Sequence, residues 1–99
     1  MYKYKQILLI DDDIDDQDIF RDAVQELNAD LICIIADNGL DGLSKTKLPP
    51  APDLIFIDIN MPVMNGFQYL EAIKKEPGYM HIPSIIFTTA PNSFALTLS

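Results

Sequence analysis

The sequence predicts an α/β fold built on a parallel sheet. Three observations predict it. Four short apolar runs recur at residues 7–10, 31–36, 54–57 and 85–87, without alternating polar positions. The segments between them carry apolar residues at helical spacing, and proline and glycine mark the joins. Continuous apolar runs suit strands buried on both faces of a sheet. Strand–helix alternation then implies right-handed crossovers, with helices covering both faces.

The elements follow in order. Residues 7–10 form the first strand. Phe20, Ala23, Val24 and Leu27 fall at i, i+3, i+4 and i+7, so a first helix should turn this stripe inward. Residues 31–36 form the second strand, with Cys33 in the core. Residues 39–48 form a weaker second helix: Leu40 and Leu43 give a partial stripe, whereas Gly42, Ser44 and Thr46 are poor helix formers. Pro49, Pro50 and Pro52 end it and lead into the third strand at residues 54–57. Gly66, Tyr69, Leu70 and Ile73 repeat the helical spacing, and Pro77-Gly78 ends that third helix. Pro83 precedes the fourth strand, residues 85–87. The tail, residues 91–99, should be either a short helix capped by Asn92 or Ser93 or an extended strand.

Composition narrows the function. Ninety-nine residues suffice for one domain, spanning 1–99, and the longest apolar run is six residues. A membrane span needs about 20. The N-terminus carries Lys3 and Lys5 but no long apolar stretch behind them, so no signal peptide is expected. The single cysteine, Cys33, has no internal disulfide partner, and a cytoplasmic location is the simplest fit. The formal net charge of −8 argues against direct nucleic-acid binding.

In open α/β sheets, ligands bind at the carboxyl ends of the strands. The first strand ends in Asp11-Asp12-Asp13, the third in Asp58, and the fourth in Thr88-Thr89. Carboxylates brought together repel one another unless a cation offsets their charge or some stay protonated. Oxygen ligands with room for water suit Mg²⁺. A carboxylate beside such an ion can attack a phosphoryl group, and a hydroxyl such as that of Thr88 can bond an equatorial oxygen. Asp13 reads as a helix cap, and His81 as a loop residue without a role. Pro62 and Gly66 shape the loop after Asp58. Met61 and Met64 should pack it.

Three blocks make a resemblance specific. Residues 7–13 resemble the opening of response regulator receiver domains. Residues 52–62, with Met64-Asn65-Gly66, resemble that family's phosphoacceptor block. Residues 82–90 resemble its fourth strand. The resemblance covers about residues 5–90. It implies a flavodoxin-like three-layer α/β/α fold with strand order 2-1-3-4-5, a pattern for which a receiver protein is itself a standard example. It also implies Asp58 as phosphoacceptor and Thr88 as switch hydroxyl. Asp11, Asp12, Asp58 and the Asn60 backbone carbonyl would bind Mg²⁺. A histidine kinase or phosphotransfer protein would donate the phosphoryl group, and a separate downstream protein would read it. The domain assists its own phosphorylation and is not a dedicated enzyme.

The chain departs from the family near its end. Eleven residues follow Thr88, and no lysine follows Lys75, so the fifth strand with its lysine and the fifth helix are expected to be missing. A four-stranded sheet of this kind should expose apolar surface, and a homodimer is one expectation. A second reading within the same family is a degenerate receiver that keeps the fold without signalling. Two other classes fit less well. Asp11-x-Asp13 resembles the haloacid dehalogenase-like phosphatase motif, with Asp11 as nucleophile, but Asp15 stands where Thr or Val belongs. Asp11, Asp13 and Asp15 alternate as in a calcium-binding loop, but Asp16 stands where glycine is required.

Overall fold

The computed structural model describes residues 4–61, 64–88 and 95–98; for residues 88 and 95–98 it describes the backbone alone. The apolar runs become β1 (Gln6–Ile10), β2 (Ile32–Ala36), β3 (Leu54–Asp58) and β4 (Ser84–Thr88). Between them run α1 (Ile14–Leu27), α2 (Gly39–Lys47) and α3 (Gly66–Lys74). The four strands pair in parallel, and the sheet order is β2-β1-β3-β4 followed by a fifth strand, β5 (Ala95–Leu98).

The parallel part is four-stranded, as expected, and the tail takes the extended of its two expected forms. β5 lies antiparallel to β4, with Thr88 opposite Ala95 and Ile85 opposite Leu98. Chain length dictates this direction. Only residues 89–94 join the two strands. A parallel return needs a crossover of a dozen or more residues. β5 therefore fills the outer position of the sheet as an antiparallel neighbour of β4.

Strand parity sorts the core into two faces. Leu8, Ile10, Ile55, Ile57 and Ile86 point toward α2 and α3, where they join Tyr69, Leu70 and Ile73. Leu9, Phe56 and Ile85 are register partners on the opposite face, where Phe20 of α1 meets Phe56 edge-on at 4.9 Å. The weak helix formers of α2 have packing reasons. A Cβ on Gly42 would lie 2.5 Å from Ile10 Cδ1 and 3.3 Å from Tyr69. Tyr69 is fully buried, and its hydroxyl lies 2.6 Å from Thr46 Oγ1, which donates to the Gly42 carbonyl. The two helices thus meet through small residues and one satisfied polar pair.

The α1 stripe departs from expectation. Val24 is buried and Phe20 half-buried, but Ala23 is exposed and Leu27 is 84% exposed. Ile19 is also exposed. Ile19, Ala23 and Leu27 form one i, i+4, i+8 row. Among the described residues α1 is the one helix on its side of the sheet, so this row has no neighbouring helix to pack against. Cys33 is half-buried for a related reason, because β2 is an edge strand.

Candidate phosphoacceptor site

The crossover topology brings the carboxyl ends of β1 and β3 side by side. Asp11 follows the last residue of β1, and its N–H continues the sheet pairing by donating to the Ala36 carbonyl at 3.1 Å. Asp58 is the last residue of β3. Both are buried, at 1% and 2% exposure, whereas Asp12 is exposed. One carboxylate oxygen from each of Asp11, Asp12 and Asp58 can be chosen so that all three lie within 4.8 Å of one another.

Local turns aim these groups. Asp11 Oδ1 accepts from the Asp13 N–H at 2.9 Å, and Asp58 Oδ1 accepts from the Asn60 N–H at 3.0 Å. Asp13 caps α1, accepting from the Asp15 and Asp16 N–H groups. It is a cap, as its sequence position suggested. Asn65 caps α3 in a reciprocal box with Gln68. Gly66 lets the start of α3 sit against Asp58: a Cβ there would be 2.9 Å from the Asp58 carbonyl oxygen. Met61 is buried in the core, and Met64 packs against Gly39, so both stabilise the loop.

The electrostatics are those of a cluster short of positive charge. Burial pushes the Asp11 carboxyl up to about 7; the Asp13 N–H opposes this, and the charges of Asp58, Asp16 and Asp12 add to it. Burial likewise raises Asp58, opposed by the Asn60 N–H and reinforced by Asp12, Asp16 and Asp13. Asp11 Oδ2 is buried without a hydrogen-bond partner. Three clustered carboxylates, one of them with a buried oxygen that lacks a partner, are the donor set that a hard divalent cation completes. The residues present therefore fit such an ion.

Thr88 ends β4, one residue beyond the Asp58–Phe87 pairing, which places its backbone at the same rim. Its side chain lies outside the described residues, as do Pro62, Thr89, Asn92 and Ser93. Asn60 is exposed on the loop after Asp58. The alternating trio Asp11, Asp13 and Asp15 does not converge: Asp13 is the cap and Asp15 is exposed. Sequence reasoning missed Gln17, which is 7% exposed and donates from Nε2 to the Asp11 carbonyl at 2.7 Å. Its signal was available, because Gln17, Phe20 and Val24 share the inward face of α1.

The model of the response regulator receiver domain family matches residues 7–97. The chain belongs to the response regulator receiver family. It is 40% identical over 75 residues to a protein-glutamate methylesterase/protein-glutamine glutaminase of Desulfotalea psychrophila, covering 76% of this chain and 20% of that protein. It is 30% identical over 94 residues to response regulator Rcp1 of Synechocystis, covering 89% of this chain and 64% of that one. It thus spans less than two thirds of either relative. Among solved structures, the Mn²⁺-bound form of response regulator Rcp1 superposes with a TM-score of 0.78 at 29% identity, over 90% of this chain and 68% of that one. The N-terminal domain of a receiver protein from Methanoculleus marisnigri gives 0.77 at 33%, over 93% and 72%. Membership in this family sets aside the dehalogenase-like alternative. Among the described residues, no helix is long and apolar enough to cross a membrane.

Proposed function

We propose that this receiver domain takes a phosphoryl group onto Asp58 from the phosphohistidine of a histidine kinase or phosphotransfer protein. The observation that carries the reading is the Asp11–Asp12–Asp58 cluster, with carboxylate oxygens within 4.8 Å of one another and Asp11 Oδ2 buried without a hydrogen-bond partner. Asp11, Asp12, Asp58 and the Asn60 carbonyl would hold Mg²⁺, which would supply positive charge against the carboxylates and the incoming phosphoryl oxygens. That the relative Rcp1 has a solved Mn²⁺-bound form supports a divalent ion here.

The chain's own groups do the rest. The Asn60 N–H holds one Asp58 oxygen, fixing the carboxylate plane. An Asp58 oxygen attacks phosphorus, the P–N bond breaks, and its electron pair leaves with the donor imidazole. The Thr88 hydroxyl would bond a phosphoryl oxygen. Asp58 is 2% exposed, and this burial limits water at the acyl phosphate. The phosphorylated rim would then be read by another protein, in the cytoplasm. A second copy is one partner that the exposed apolar row on α1 would suit, as a homodimer.

A second reading within the family is a degenerate receiver that keeps the fold and loses the chemistry. Intact-protein mass after incubation with Mg²⁺ and acetyl phosphate separates the two. One added phosphoryl group is expected, absent without Mg²⁺ and absent in Asp58→Asn. A folded protein that gains no adduct would favour the degenerate reading.

A further inference from the structure

We propose that Gln17 is a positioning residue for the cation site: its side-chain amide fixes the Asp11 backbone and so sets the direction of Asp11 Oδ2. This rests on reading the Asp11–Asp12–Asp58 cluster as a cation site. Helical side chains lean back toward the N-terminus. Gln17 thereby reaches the rim from the first turn of α1, where its own N–H bonds the Asp13 carbonyl at 3.0 Å.

Both amide protons are used. Nε2 donates to the Asp11 carbonyl at 2.7 Å and to Asp37 Oδ1 at 3.0 Å. One side chain therefore ties α1 to the end of β1 and to the loop that follows β2. Asp11 is then held at three atoms: its N–H by Ala36, its carbonyl by Gln17 and its Oδ1 by Asp13. The atom left over is Oδ2, which has no partner. With three of its polar atoms anchored, the residue presents its fourth in one direction. Removing Gln17 frees the carbonyl anchor, so Oδ2 samples a wider range and the ion loses a fixed ligand. A buried amide can also be there only to satisfy its neighbours, in which case its loss would lower stability and leave the ion's affinity unchanged.

The test is a Mg²⁺ titration of the full chain, read from backbone amide NMR shifts, which report fold and affinity together. Gln17→Met keeps the length and bulk without the donors. Its Mg²⁺ dissociation constant should rise on the order of tenfold, the usual scale for losing a group that orients a ligand. Asp37→Ala changes an exposed residue and removes one of the two amide acceptors, so it should weaken binding by a few-fold. Thr46→Val removes a buried hydroxyl on the opposite face and should leave affinity unchanged. A folded Gln17→Met that binds like wild type would overturn the proposal. If Gln17→Met does not fold, Asp37→Ala with wild-type affinity would overturn it. Equal weakening by Thr46→Val would also overturn it, by showing a general loss of stability. If wild type itself binds no Mg²⁺, the reading of the site fails and this inference falls with it.

Discussion

Replacing Asp11 by asparagine should stabilise the cation-free protein, and increasingly so as pH rises. Asp11 is 1% exposed, and its carboxyl is pushed from 3.8 up to about 7. Between those values the folded state holds a proton that the unfolded chain has released. Stability therefore falls as pH rises through that window and levels off above about 7. A span of about 3 pH units at about 1.4 kcal/mol each sets a ceiling near 4 kcal/mol. Asparagine keeps the oxygen that accepts from Asp13 and removes the charge. Urea unfolding in EDTA should show Asp11→Asn more stable by about 2–4 kcal/mol near pH 8, with the difference vanishing near pH 4. Saturating Mg²⁺ should reverse the ranking, because an ion that binds only the folded wild type stabilises it by mass action. No gain near pH 8, or the same gain at both pH values, would refute the reasoning.

Three other substitutions separate structural from chemical roles. Asp13→Ala should cost about 1 kcal/mol in urea unfolding by removing the α1 cap, and should weaken Mg²⁺ binding far less than Asp12→Asn, because Asp13 acts on Asp58 by its charge and is no ligand. Gly66→Ala would set a Cβ 2.9 Å from the Asp58 carbonyl oxygen and 3.0 Å from Ile57 Cγ2; a loss of about 1–3 kcal/mol in thermal denaturation and slower formation of the phosphoryl adduct are expected. Tyr69→Phe should cost about 1 kcal/mol, since Thr46 keeps its bond to the Gly42 carbonyl, and Mg²⁺ titration should be unaffected.

Much of this structure was legible in the residues. The isoleucine-rich runs marked β1 to β4, because a strand covered on both faces cannot alternate. The candidate site was legible because Asp11 and Asp58 sit where those runs end. What escaped depended on contacts between distant segments. Gln17 is polar, so an apolar stripe does not register it, although it lies on the same helical face as Val24. Ala23 and Leu27 continued the stripe on paper, but their burial required a neighbour that spacing alone does not supply. Gly42 and Thr46 looked like weak points of α2 because propensity carries no information about Ile10 or Tyr69 on the other side of the contact. The direction of β5 followed from a connection length, which becomes informative only once the strand ends are placed.

The exposed row on α1 has a consequence for how copies of the protein behave at different ionic strengths. Ile19, Ala23 and Leu27 run beside a second row, Asp18, Asp22 and Glu26, on a chain of net charge −8. In dilute buffer these charges hold copies apart before the apolar row can make contact. The screening length falls from about 10 Å at 0.1 M salt to about 3 Å at 1 M. Contact through this face should therefore strengthen as salt is added, the reverse of an interface held by ion pairs.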